Sequence, residues 1–349
     1  STRDWSSDVC SSDLYTESHL AELQQAEVGC HANKDTHHPK ESIHFDMSQA
    51  PSTLTFAADI GGTRIKLGLV DAGTFTVLAR ETIPAMAGEG IAARLPFMVE
   101  AWRLCAKSAG IDPAAVTRVG MGLPCAISAD GSRVLGTPSG KFTDAPRFDF
   151  AKWADDHGWQ IRMENDARCA LAGEMACGSL KNLANVAMVT LGTGIGVAVA
   201  VGGKILRGAG QGSLMFAHMA QASGPACICG RNGCAEARAG GWAFQRDGLS
   251  WPGPQRTAAL EVWAQVLDAI CTAYDPTHIA MGGGLVAADH SLVDDLQTLL
   301  DRQPRLAGKA PALVASALGE SGPLLGASRS EEHTSETPVT SGYLVCRLL

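Results

Sequence analysis

The chain has no run of eighteen consecutive apolar residues, so it offers no candidate membrane span. No secretory hydrophobic segment precedes its cysteines. Its basic residues are never dense enough to track a phosphate backbone, and 28 Lys and Arg against 36 Asp and Glu leave a net charge of −8. Nucleic acid and membrane are therefore not expected as partners. What is present is 46% hydrophobic residues and 39 glycines in 349 positions, ample for one large core or two moderate ones. Eleven cysteines, an odd number, fit a reducing cytoplasm better than a disulfide framework.

The ends differ from the middle. Residues 1–46 hold five of the ten histidines and no sustained apolar period, and they read as a non-native or disordered extension. The opening "STRDWSSDVCSSDL" and the tail 329–349 look like translated sequencing-adapter sequence, which makes Met47 the natural start. A flexible, His-rich tail with weak metal affinity is the alternative for the N-terminal stretch.

Between them, short β-rich runs alternate with helical stretches. Strands are expected at 54–60, 65–70 and 75–83, joined by Gly-rich turns as in an antiparallel meander. Ile91, Leu95, Met98, Val99 and Trp102 recur at helical spacing and predict a helix over 88–108. A strand at 116–123, a helix near 149–158, a strand at 160–166 and a helix from Ala167 to Cys177 follow. Two further strands, "NVAMVTLG" and "IGVAVAVGG", open a second block with a helix at 258–274, a strand at 278–284, a helix at 289–302 and a strand near 311–316. Two α/β units, each opening on a glycine turn, predict two halves with a cleft between them. No internal repeat aligns by eye.

Three glycine turns are candidates for holding a nucleotide. In "DIGGTR", Gly61 and Gly62 allow a tight hairpin whose N–H groups can face an anion, Thr63 adds a hydroxyl, and Asp59 could hold a Mg²⁺ water shell. "TLGTGIG" bends at Gly192, Thr193 and Gly194, and "MGGGL" places Gly282 and Gly283 at a strand end. Each is also what a simple hairpin requires. None matches the Walker pattern, and "GTGIG" feeds a strand where a dinucleotide-binding fold needs a helix. In "CICGRNGCAEA", Cys227, Cys229 and Cys234 supply three thiolates, and Gly230 and Gly233 let the chain curl. His218, nine residues earlier, is the near candidate for a fourth ligand, and Cys₃His is a closed, structural zinc arrangement. Free buried thiols are the plain alternative. Asn165 and Asp166 stand where a strand passes into a helix, which is also where capping needs such residues.

The order of these motifs resembles the ROK family of sugar kinases and sugar-responsive repressors: Asp-x-Gly-Gly-Thr, Glu-Asn-Asp (164–166), Gly-Thr-Gly, His with the Cys-x-Cys-Gly-x-x-Gly-Cys-x-Glu knot, then Gly-Gly-Gly. The likeness runs from about Leu54 to Ala327. It implies a two-lobed actin-like ATPase (ribonuclease H-like) α/β fold, with a small lobe over 54–166, a larger lobe carrying a structural zinc knot over 167–317, and a closing helix at 318–328. It implies ATP and Mg²⁺ between the lobes and a hexose or N-acetylhexosamine at the cleft floor. Under it Asp166 is the general base, and Asn165, Ser139, Gly140, His218 and Glu236 contact the sugar. Zinc falls on His218, Cys227, Cys229 and Cys234. A cytoplasmic homodimer is the implied assembly.

Three departures stand out. Aligned on His218, Met215 replaces the sugar-binding glutamate of Glu-x-Gly-His and Ala217 the glycine. Losing a charged acceptor costs roughly 1.5–3 kcal/mol of sugar discrimination. Arg64 stands where lysine is usual, and the stretch from Gly241 to Leu260 is shorter than the family's helical segment. The expectation is a sugar kinase, with a non-catalytic sugar sensor or a degenerate relative as alternatives. A repressor should carry a helix-turn-helix ahead of the first strand, and residues 1–53 show no such pair of amphipathic helices.

Overall fold

The computed structural model describes residues 53–138, 140–212, 216–219, 223–305 and 308–329. The expectations for residues 1–46 and 330–349, for Ser139 and for Met215 lie outside the described residues.

The meander forms as the glycine turns suggested: β1 (Leu54–Ile60), β2 (Arg64–Asp71) and β3 (Thr76–Pro84) pair antiparallel. Helix α1 (Leu95–Ser108) leads to β4 (Arg118–Leu123), a small hairpin of β5 (Ala126–Ile127) and β6 (Val134–Gly136), α2 (Phe150–Asp156) and β7 (Gln160–Asn165). The first sheet has the order β3-β2-β1-β4-β7, with β4 parallel to both neighbours. Phe56, Ala57, Ala58 and Ile60 of β1 are all buried, because both faces of that central strand are covered. On one face Trp102 of α1 stacks on Phe56 at 5.7 Å and donates its indole N–H to the carbonyl of Ala57 at 2.9 Å.

Helix α1 starts at Leu95, seven residues later than its periodicity predicts. The carboxylate of Asp144 takes the N–H groups of Ile91 and Ala92 at 2.7 and 2.9 Å, and Gly90 adopts a φ of 90°. These partners hold the backbone away from helical geometry until Pro96 opens the helix. The hairpin β5–β6 was not legible in the sequence.

The second half runs α3 (Asp166–Cys177), β8 (Val186–Leu191), β9 (Ile195–Val201), β10 (Lys204–Ile205), α4 (Ala235–Ala239), α5 (Gly241–Arg246), α6 (Arg256–Tyr274), β11 (His278–Gly282), α7 (Gly284–Ala287), α8 (Leu292–Asp301), β12 (Ala312–Ala315) and α9 (Gly322–Ala327). Its sheet has the order β10-β9-β8-β11-β12. Both sheets thus consist of a three-stranded antiparallel meander followed by two parallel strands, in the same spatial order. This repeat of topology left no trace by eye in the sequence, because it needs only equivalent burial patterns, not equivalent residues. Helices α6 and α8 cover one face of the second sheet through Trp263, Leu267, Ile270 and Leu296, and α3 covers the other through Ala167, Ala170 and Leu171. The short 241–260 stretch closes by aromatic packing: Trp251 stacks on Phe244 at 5.5 Å and meets Trp263 at 5.0 Å.

The two sheets are tied by α3 and α9. Leu324 and Leu325 of α9 pack on Ala57 and Val70 of the first sheet, while the other side of α9 meets α3 backbone to backbone. A Cβ on Gly326 would lie 1.8 Å from the carbonyl oxygen of Cys169, and one on Gly173 would lie 2.3 Å from that of Gly322. Gly120 on β4 faces the carbonyl of Ala327 at a comparable 2.2 Å. Arg329, assigned to the tail by sequence, donates its N–H to the carbonyl of Gly326 and lies over the Phe75 ring, so it packs with α9.

Gly326→Ala therefore forces two helices apart and is expected to cost about 2–4 kcal/mol. Urea unfolding should show a lowered midpoint for Gly326→Ala and almost no change for Gly136→Ala, whose Cβ meets open space. Equal midpoints would mean that α9 slides freely.

Candidate functional site

The first glycine turn links β1 to β2. Gly61 donates its N–H to the carbonyl of Arg64 at 3.0 Å, so closely that a Cβ at 61 would lie 2.8 Å from that oxygen. The second turn links β8 to β9, where Gly192 donates to the carbonyl of Gly194 at 3.0 Å and open space lies beside Gly192. The hydroxyls of Thr63 and Thr193 are 3.4 Å apart, so the two turns meet although 130 residues separate them. Hydroxyls from the turns of both sheets converge there, next to the open space at Gly192, an arrangement suited to phosphate oxygens.

The third turn behaves differently. The space beside Gly282 is filled by Met188 and Ser316, and Gly283, with a φ of 96°, presses on the carbonyl of Leu191. The open position is Gly284, the first residue of α7. The expected strand 278–284 ends at Gly282 for this reason.

Asp166 is the first residue of α3, and Asn165 is its N-cap, accepting from the N–H of Arg168 at 3.3 Å. The capping role is thus true of this pair. Oδ1 of Asp166 accepts from the N–H of Ala167 at 2.8 Å and from the Asn165 amide at 3.0 Å, while Oδ2 has no partner among the described residues. Burial pushes the Asp166 carboxyl up to about 6, helped by the nearby charges of Asp59 and Glu236. Burial also raises Asp59, against the pull of Lys66, whose ammonium lies 3.7 Å from Asp59 and 3.1 Å from Glu320. Asp59 and Glu236 thus lie close enough to Asp166 for their charges to oppose its ionisation.

Glu236, buried, joins several of these parts. It accepts from the N–H of Ile195 at 3.0 Å and from the Trp242 indole at 3.2 Å, and a Cβ on Gly194 would lie 2.5 Å from its Oε2. The backbone N–H groups of Gly241 and Trp242 meanwhile bond to the carbonyls of Gly192 and Thr193. Oε1 of Glu236 lies 4.0 Å from Nε2 of His218.

The ligand atoms of His218, Cys227, Cys229 and Cys234 all lie within 4.8 Å of one another. Cys229 and Cys234 sulfurs are 3.6 Å apart, far beyond a disulfide bond and close to the roughly 3.8 Å separation of thiolates around a tetrahedral zinc. Nδ1 of His218 faces Cys227 at 3.4 Å, which leaves Nε2 toward Glu236. Burial pushes the Cys227 thiol up to about 12, so a metal would have to displace its proton. The donor set and spacing fit zinc.

Gly140 has a φ of 74° with open space beside it, and the turn it makes brings Lys141 to the first glycine turn. Sequence reasoning named its neighbours Ser139 and Gly140 and passed over Lys141. It also passed over an ion cluster in which Glu164 binds Arg168 at 3.3 Å and Arg207 at 2.6 Å. Arg168 in turn donates to the carbonyls of Arg207 and Gln211, holding the segment that leads toward residue 215.

A sequence model of the ROK family matches residues 55–330. The glucokinase of Streptomyces coelicolor is 31% identical over 219 residues, 62% of this chain, and the match spans 64% of that protein, somewhat under two thirds. The N-acetylmannosamine kinase of Vibrio cholerae is 27% identical over 297 residues, 84% of this chain and 96% of that protein. Among solved structures, a ROK family glucokinase from Streptomyces griseus in complex with glucose and AMPPNP shares the fold, with a TM-score of 0.67 at 24% identity over 79% of this chain and 98% of that one. The paired glycine turns, the Asn-Asp helix start and the Cys₃His cluster occur in a chain that belongs to the ROK family.

Proposed function

We propose that this protein is an ATP-dependent kinase of a hexose or N-acetylhexosamine. The observation that carries the reading is Asp166, a carboxylate held at a helix start beside the meeting point of two glycine turns, with its carboxyl raised to about 6. That value suits a general base near neutral pH. In this reading Asp166 takes the proton of a sugar hydroxyl, the sugar oxygen bonds to the γ-phosphorus, and the bond from that phosphorus to the β–γ bridging oxygen breaks to release ADP. Positioning supplies most of the acceleration. Asp59 is the carboxylate for the water shell of the Mg²⁺ that accompanies ATP, and Gly61, Gly62, Thr63, Gly192, Thr193 and Gly194 cradle the phosphates. Gly282, Gly283 and the open Gly284 border the nucleoside. Asn165, Ser139, Gly140, His218 and Glu236 orient the sugar.

Zinc on His218, Cys227, Cys229 and Cys234 would be structural, with every ligand position filled by protein. Its effect on the sugar passes through His218, whose ring it fixes with Nε2 toward Glu236. Met215, in place of the family's glutamate, favours one second reading, a protein that binds sugar without turning it over.

ATP turnover with Mg²⁺ over glucose, mannose, fructose, N-acetylglucosamine and N-acetylmannosamine tests the proposal, with Asp166→Ala as control. Sugar-dependent ADP release that the control lacks supports it. Silence with a sugar-induced change in tryptophan fluorescence selects the second reading.

The base acts only when deprotonated, so kcat/KM should rise with pH through about 6 and level off above. A flat profile from pH 5 to 8 would remove Asp166 from the role. The same shift has a stability consequence. The folded-state value lies above the unfolded 3.8, so this stabilisation is full below 3.8 and lost as pH rises through about 6. Asp166→Asn should therefore abolish turnover yet raise the melting temperature at pH 7.5, with the gain vanishing near pH 4.

Elemental analysis should find one zinc per chain. Stripping it with a chelator should lower the melting temperature and raise the sugar KM. Unchanged melting and KM after complete removal would make the cluster a set of free thiols.

A further inference from the structure

We propose that Lys141 contacts the transferred phosphoryl group and neutralises its charge while Asp166 takes the sugar proton. This inference rests on the kinase reading and adds to it a residue that no motif marks.

The ammonium of Lys141 occupies the space a side chain at position 62 would fill: a Cβ on Gly62 would lie 2.7 Å from Nζ and 3.3 Å from Cε. The absent side chain of Gly62 is therefore what lets a cation lie directly on the phosphate-facing turn. The neighbouring Thr63 reaches Thr193 of the second turn at 3.4 Å, so this cation stands beside the point where both turns converge. Of the two lysines near the turn, Lys66 is engaged by Asp59 and Glu320. Lys141 has no carboxylate partner within ion-pair distance among the described residues. A half-buried ammonium with no carboxylate in ion-pair distance, lying on a glycine turn, is matched to an incoming anion.

Its placement is built into the backbone. Lys141 donates its N–H to the carbonyl of Pro138 at 3.3 Å, closing a turn that needs the left-handed φ of 74° at Gly140. The next residue, Phe142, also sits in the left-handed region, with a φ of 48°, which a bulky side chain adopts only when its surroundings compel it. They do so here: the Phe142 ring is fully buried in the core of the first sheet, and its N–H bonds to the carbonyl of Ala87 at 2.8 Å. Phe142 anchors the turn, and Lys141 projects from it to Gly62. In phosphoryl transfer the charge is spread over the equatorial oxygens of the moving group, and a fixed cation there is worth more in the transition state than in the ground state.

The test uses the full chain, with Lys141→Met and Lys141→Arg measured for turnover and for binding of AMPPNP and ADP by calorimetry. Lys141→Met should lose about 100-fold or more in kcat on whichever sugar the unaltered protein uses, with the sugar KM within about twofold. It should also bind AMPPNP about tenfold more weakly and ADP unchanged, since only the triphosphate reaches the ammonium. Lys141→Arg should recover most of both. Equal weakening of AMPPNP and ADP, or kcat within about threefold of the unaltered protein, would overturn the assignment. If the unaltered protein phosphorylates none of the sugars, the kinase reading falls, and the AMPPNP-to-ADP comparison still decides whether Lys141 meets a terminal phosphate.

Discussion

The close approach of α3 and α9 is the constraint on which the remaining arrangement depends. Gly173 and Gly326 remove the side chains that would hold the two helices apart, so that Gly173 meets the backbone of Gly322 and Gly326 that of Cys169 directly. One helix lies on each sheet: α9 on the first through Leu324 and Leu325, α3 on the second through Ala167, Ala170 and Leu171. Asp166 begins α3, so the same contact that joins the halves also sets where this carboxylate stands relative to Asp59 on β1. Glu174, fully buried near the end of α3, strengthens the joint. It accepts from the backbone N–H and hydroxyl of Ser179, from the Ser316 hydroxyl and from the N–H of Leu318, all four bonds crossing between α3 and the segments around it.

A second dependence runs from the Cys₃His cluster into the cleft. Nδ1 of His218 turns toward Cys227, Nε2 toward Glu236, and Glu236 holds the N–H of Ile195 directly after the second glycine turn. A change at the cysteines therefore reaches the second glycine turn through two side chains. The electrostatic logic is consistent with this geometry. The charges of Asp59 and Glu236 add to burial in raising Asp166, which costs stability at neutral pH. Sites that bind charge are commonly kept in such tension.

The meander, the parallel strands, the long helix α6 and the passage from strand to helix at Asn165 were all legible, because each depends on local periodicity or on a capping residue. Helix α1 was misjudged at its start because Asp144, some fifty residues away, captures the N–H groups of Ile91 and Ala92. Gly283 read as strand because a run of three glycines carries no periodicity; the carbonyl of Leu191 decides its conformation. The Cys₃His cluster was legible since three of its members lie within eight residues, and His218 was close enough to be proposed.

The residues alone determined the main strands and helices, the Cys₃His cluster and the Asn-Asp helix start, since these are carried by spacing within one strand, turn or helix. Which glycines face open space and which are filled by neighbours was decided only in three dimensions. So were the meeting of Thr63 with Thr193 and the reach of Lys141 to Gly62. These contacts join positions roughly 80 to 130 residues apart. No local pattern encodes them, because they arise when two separately folded sheets are held together by a helix pair whose packing depends on the atoms that glycine lacks.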